Sequence, residues 1–171
     1  MARSREDVQF RGHRIIANNT GAMIYPDKHG LKADSTEDAL NAAKAWIDAK
    51  YTGRVEERRA PHIGTVEDYV EALSVLSPTA GKRRMLIAHR QSDGLRMTAK
   101  ELSEAAGWKS QSSANLHYGT LGKAVADQVD LTLSGSDKKA QTAALAEYHE
   151  DSSEWEMYPE VAEAMDRLNL N

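Results

Sequence analysis

Apolar positions follow two rhythms along this chain, and the change from one to the other divides it. In residues 8–16 (VQFRGHRII), Val8, Phe10 and Ile15 alternate with polar residues, the period of a half-buried strand, with an irregularity expected at Gly12. Asn18, Asn19, Thr20 and Gly21 form a turn cluster. Residues 22–25 (AMIY) predict a second strand, stopped by Pro26 and the turn residues up to Gly30, and residues 31–33 a short third one. Ser35 then opens a helix as its N-cap. Glu37 and Asp38 suit the first turn, and Ala39, Leu40, Ala43, Trp46 and Ile47 recur at helical spacing as far as about Gly53. Residues 1–53 thus predict a small β-β-(β)-α unit, with residues 1–7 as a frayed leader. Residues 54–64, polar and containing Pro61, predict a linker.

From Thr65 onward helical spacing dominates. Thr65 caps a stripe of Val66, Tyr69, Val70, Leu73 and Leu76. Ser77 and Pro78 predict the N-cap and first residue of a second helix, which turns Met85, Leu86 and Ala88 inward and breaks at Gly94. Residues 97–131 read as two helices joined by a tight turn. Thr98 and Glu101 form a capping box, Leu102, Ala105 and Ala106 face inward, and Gly107 suits the left-handed conformation that closes the first helix. Trp108 predicts a wedge between helices. Ser110 or Ser112 caps a long helix to about Val129, with Ala114, Leu116 or His117, Leu121, Val125 and Val129 inward. A glycine inside a helix costs about 1 kcal/mol against alanine. Gly119 and Gly122, three apart, therefore predict the close approach of another backbone, or else a local break. Residues 140–148 and 154–158 predict a hairpin, although the alanines of the first favour helix, and Pro159 begins a last amphipathic helix with Val161, Met165, Leu168 and Leu170 apolar. The fold class expected is α+β, with a mainly helical, winged-helix-turn-helix-like domain over residues 65–171.

Charge adds a gradient to this pattern. The net charge of −4 hides 8 Lys/Arg against 3 Asp/Glu in residues 81–123, and 3 against 11 in residues 124–171. A basic block on the two-helix segment is what a phosphate-facing surface requires, and a solvated helix face is its bland alternative. Hydrophobic residues make up 40% of the 171 and aromatics 6%, enough for a packed core. No apolar run reaches membrane-spanning length and residues 1–10 carry no signal-peptide pattern, so no membrane partner is expected. The absence of cysteine excludes disulfides, thiolate zinc sites and cysteine nucleophiles, and fits a cytoplasmic setting.

Catalytic chemistry finds no foothold. There is no GxxxxGK[ST], no GxGxxG behind a strand and no GxSxG. The six histidines (His13, His29, His62, His89, His117 and His149) are scattered, with no His-x-x-x-His pair. No catalytic residue, metal or cofactor is expected, and the protein reads as non-enzymatic.

The stretch YVEALSVLSPTAGKRRMLIAHRQSDGLRMTAKELSEAAGWKSQSSANLHYGTLGKAVAD, with the closing EWEMYPEVAEAMDRL, resembles a winged-helix-like domain of bacterial and phage proteins. That domain occurs beside HNH or McrA-type restriction endonuclease modules and as short stand-alone proteins. The likeness spans residues 68–168 and is carried best by residues 114–122 (ANLHYGTLG). It implies a fold and a link to DNA metabolism or defence, without a nuclease, because the His-Asn-His arrangement is missing. Residues 10–51 (FRGHRI, GAMIYPD and STEDALNAAKAWID) resemble small strand-strand-helix modules of phage and mobile elements, some of which grip DNA through the sheet face. Arg11, His13, Arg14 and Lys28 would serve such a contact, and ordinary exposed strand residues are the alternative reading of all four.

Two functional readings follow. In the first, the chain binds double-stranded DNA: Lys109, Ser110, Gln111, Ser112, Ser113 and Asn115 open the second helix and meet base edges, while Lys82, Arg83, Arg84, Arg96 and Lys100 hold phosphates. One such module usually gives weak affinity, so a homodimer joined through the N-terminal unit is a further expectation. In the second, the chain is a protein-binding inhibitor of a host defence protein complex, of anti-CRISPR or anti-restriction type, and its acidic last third meets a basic partner.

Overall fold

The computed structural model describes residues 5–170. The fold is α+β and forms two compact units, Met1–Glu56 and Glu57–Asn171.

The first unit is an antiparallel meander of four strands, β1 (Arg5–Phe10), β2 (His13–Asn18), β3 (Gly21–Tyr25) and β4 (His29–Lys32), followed by helix α1 (Thr36–Glu57). The single irregular strand expected over residues 8–16 is instead a hairpin. Arg11 and Gly12 both take positive φ (45° and 74°), and Phe10 pairs with His13. A two-residue loop of that kind matches the twist of the strands it joins. Arg5 to Asp7, expected to fray, pair with Ile16 to Asn18; Met1 to Ser4 of that leader lie outside the described residues. Ile15, Ala17, Ala22 and Ile24 alternate inward and pack on Ala39, Ala43 and Ile47 of α1. The Ser35 hydroxyl accepts from the Asp38 amide at 3.1 Å, the expected cap. Gly53 does not stop α1. A helical glycine costs only about 1 kcal/mol, and the next turn buries Arg54.

The division between the two units falls within residues 54–64, where a linker is expected, but these residues are structured. Their first four residues finish α1, and Arg58 and Ile63 are built into the second unit. The Arg58 guanidinium donates to Asp68 at 2.9 Å and to the Val129 and Asp130 carbonyls at 2.6 and 3.1 Å. Both side chains of the Arg58–Asp68 pair are essentially buried, at 5% and 0% exposure. Removing one partner of such a pair costs about 3–5 kcal/mol.

The second unit runs α2 (Val66–Leu76), α3 (Ala80–Gln91), a 3₁₀ turn (Asp93–Leu95), β5 (Arg96–Thr98), α4 (Ala99–Ala106), α5 (Gln111–Val129), α6 (Lys138–Thr142), β6 (Ala146–His149), β7 (Glu154–Met157) and α7 (Pro159–Arg167). Its sheet has the order β5-β7-β6, all antiparallel. Strand β5 thus closes on the second strand of the β6–β7 hairpin, with α4, α5 and α6 between them in the chain. Strand β5 replaces what the sequence suggests as the run-in to a helix. Ser77 belongs to the end of α2, as a left-handed C-cap (φ 44°, ψ 71°), and Thr79 stands at the N-cap of α3 in its place. The expected capping box of Thr98 with Glu101 forms, the expected cap at Thr65 is also part of a capping box, with Asp68, and Gly107 closes α4 at φ 78°.

Strand β6 is shorter than expected because residues 138–142 form α6, which Asp137 caps by accepting from the Ala140 amide at 3.0 Å. Helix α6 lies on the two glycines of α5. A Cβ on Gly119 would come within 2.8 Å of the Lys138 carbonyl oxygen, and one on Gly122 within 2.1 Å of that of Gln141. The close approach expected from the glycine pair is thus made by α6. Gly122→Ala is expected to destabilise the fold by about 2 kcal/mol, from overpacking, with a lower urea midpoint as the readout. An alanine variant at least as stable as the parent would mean that α6 does not press on α5 here.

Candidate nucleic-acid interface

The two helices α4 and α5 are joined by Gly107 to Ser110. Thr98 and Glu101 fix the start of α4: the Thr98 amide donates to the Glu101 carboxylate at 2.8 Å, and that bond, with the Thr98 hydroxyl, holds the Glu101 carboxyl below its ordinary pKa. Ser103 donates to the Ser110 carbonyl at 2.7 Å and pins the turn to α4. Trp108 is half-buried, stacked on His117 at 4.3 Å between centroids and lying against Gly81, so it wedges α3 and α5 as expected. Of the two α5 residues expected inward at this turn, Leu116 is 49% exposed and His117 half-buried, and Tyr118 is buried in their place.

One buried group sets the angle between α5 and the hairpin. His89 of α3 is fully buried, its Nδ1 2.8 Å from the Tyr118 hydroxyl and its Nε2 2.8 Å from the Trp155 carbonyl oxygen. A carbonyl only accepts, so Nε2 carries the proton and the Tyr118 hydroxyl donates to Nδ1. Burial outweighs the backbone hydrogen bonds and lowers the His89 pKa to about 4. Burial also pushes the Tyr118 hydroxyl far above its ordinary value.

Between the start of α5 and the hairpin lies a groove of about 870 Å³. Gln111, Ser112 and Asn115 form one wall, Thr98, Ala99 and Lys100 another, and Lys138, Lys139, Tyr148, Glu150, Ser153 and Trp155 complete it. The groove gathers only some of the candidate residues. Lys100 is exposed and 3.9 Å from Glu104. Lys109 is exposed in the turn. The hydroxyls of Ser110, Ser112 and Ser113 hydrogen-bond among themselves at 2.8 and 3.1 Å, and Ser110 makes no side-chain cap.

The expected phosphate-holding cluster is dispersed. Lys82 is half-buried on α3. Arg83 lines a separate depression with Leu73, Leu86 and Met165. Arg84 donates to the Ala106 carbonyl at 2.7 Å and so completes the end of α4. Arg96 donates to Glu156 at 2.6 Å; burial opposes ionisation of Glu156, but Arg96 and His149 hold its pKa below the ordinary range. Successive helical residues point about 100° apart, so a run of three cations cannot share one surface.

Lys138 and Lys139 are the groove residues that the sequence reading passed over. They open α6, and only the glycine pair that seats this helix signals their position in the sequence. Lys139 lies over the Tyr148 ring at 4.4 Å and is ion-paired with Glu150. The turn between β6 and β7 is acidic, with Glu150, Asp151 and, at its far end, Glu154. In the first unit, Arg11 is paired with Asp48, Arg14 with Asp7, and His13 is buried 3.0 Å from Asp27; Lys28 is exposed in the loop before β4.

Among the described residues no three His, Cys, Asp or Glu side chains come together as a metal site. No helix there is long and apolar enough to cross a membrane. The fold is that of an α+β protein whose mainly helical second unit carries a small three-stranded sheet beside the groove. Comparison with protein-family models, with curated proteins and with solved structures finds no match to this chain.

The depressed His89 pKa makes the joint between α5 and the hairpin sensitive to acid. Between about 6.5 and about 4 the unfolded chain takes up a proton that the folded chain refuses, so stability falls as the pH falls through that window and is flat above it. Wild type is expected to lose about 2 kcal/mol more than His89→Gln between pH 7 and pH 5, measured by urea unfolding. Equal losses in the two proteins would show that His89 is not held neutral.

Proposed function

We propose that this chain is a non-enzymatic protein that binds double-stranded DNA through the start of α5, in the DNA metabolism or defence of a phage or mobile element. The observation that carries the reading is the groove itself. An exposed amide and hydroxyl face at the start of the second helix of the α4–α5 pair is flanked by Lys100 on one side and Lys138 on the other, with Lys139 beside Lys138 and exchangeable between Glu150 and a phosphate. Base edges are read by such polar side chains, and phosphates are held by the flanking cations. The first amides of α5 lack a side-chain cap and add an electropositive end.

A second reading draws on the acidic hairpin turn. Glu150 and Asp151 are exposed where a wing would meet the phosphate backbone, and they favour a basic protein partner, such as a subunit of a host defence complex, over DNA at that point. A pull-down from cells carrying such a complex, together with absence of duplex binding, would select this second reading.

For the first reading, three or four phosphate contacts give a slope of log affinity against log salt of about −3. Lys100→Ala and Lys138→Ala are each expected to weaken every duplex alike and to reduce that slope by about 1. Arg83→Ala, in its separate depression, is expected to leave binding unchanged. Fluorescence anisotropy across a salt series measures all three. A salt-independent affinity, or loss of binding in Arg83→Ala alone, would sink the assignment to this groove.

A further inference from the structure

Resting on the DNA-binding reading, we propose that the exposed face of α5 selects A·T base pairs, with Gln111 and Asn115 as adenine readers and Leu116 as a thymine-methyl contact. The face consists of Gln111, Ser112, Asn115, Leu116 and Thr120, all exposed. Gln111 and Asn115 are one helical turn apart, about 6 Å along the axis, so they meet neighbouring base pairs. Each carries the donor and acceptor that match adenine N7 and N6 bidentately. Leu116 is a large aliphatic side chain 49% exposed on the same face as Ser112, one turn on. The Thr120 hydroxyl donates to the Leu116 carbonyl at 2.7 Å. That bond ties up the polar end of Thr120, and an aliphatic surface of this kind matches the methyl group that only thymine presents in the major groove.

The same face lacks what guanine needs. Guanine is read by arginine or lysine reaching O6 and N7. Arg84 is committed to the Ala106 carbonyl and Arg96 to Glu156. Lys123 lies twelve residues beyond Gln111, about 18 Å along the helix axis, and pairs with Asp127 at 2.6 Å. Lys109 lies in the turn ahead of the helix rather than on this face.

Competition for a fluorescent duplex, with the full chain at fixed salt, tests the inference. Unlabelled A·T-rich duplexes are expected to compete about tenfold better than G·C-rich ones of equal length, and Asn115→Ala to shrink that ratio several-fold. Replacing thymine by uracil, which removes only the methyl, is expected to weaken wild type several-fold and Leu116→Ala not at all. Both positions are exposed, and unfolding midpoints equal to wild type would confirm that the variants fold. Equal or better competition by G·C-rich duplexes, or an Asn115→Ala protein with its preference intact, would overturn the base preference while leaving duplex binding standing. Failure of every duplex to bind would overturn both.

Discussion

The neutral imidazole of His89 is the joint on which the second unit depends. It takes one hydrogen bond from Tyr118 in the middle of α5 and gives another to the backbone of β7. Three elements distant in sequence are thereby held at fixed separations, and the groove is the space left between two of them. Fully buried polar groups cost free energy unless paired, and here each pairing also fixes a direction. The helix that offers Gln111 and Asn115 outward is the one whose opposite face offers Tyr118 inward.

A second constraint is steric. Gly119 and Gly122 remove the side chains that would hold α6 away from α5, so that the carbonyls of Lys138 and Gln141 rest on the helix surface. This contact brings Lys138 and Lys139 beside the start of the hairpin. At the other end, Arg58 joins the start of α2 to the carbonyls that end α5. Helix α5 is thus fixed at its end by charge, along its length by glycine packing and at its centre by the histidine, while its first turn is left exposed.

Much of this was legible in the sequence where a local rule governs the backbone. The cap at Thr65, the capping box at Thr98, the left-handed Gly107, the proline start of α7 and the close approach at Gly119 and Gly122 all belong to that class. What escaped depends on partners far along the chain. Strand β5 is three residues long and exists because β7 pairs with it. The four-residue core of β6 and the short α6 share an alanine-rich segment whose composition does not separate them. Lys82, Arg83 and Arg84 read as one cationic patch, yet a helix turns them to different surroundings. The charge that reaches the groove comes from Lys100, Lys138 and Lys139 instead. The acidity of the last third was plain, but that its hairpin turn would be the acidic tip beside the groove follows only from the register of β6 on β7.

The central claim is that the start of α5 and the lysines beside it form the surface that meets duplex DNA. Titrating the ¹⁵N-labelled protein with an A·T-rich duplex at low salt, and following the backbone amide resonances, tests that claim most directly. Saturable shifts are predicted at residues 98–100, 109–120 and 138–139, with the buried amides of α2 and α7 undisturbed. An unperturbed spectrum at excess duplex, or shifts confined to the first unit, would contradict it.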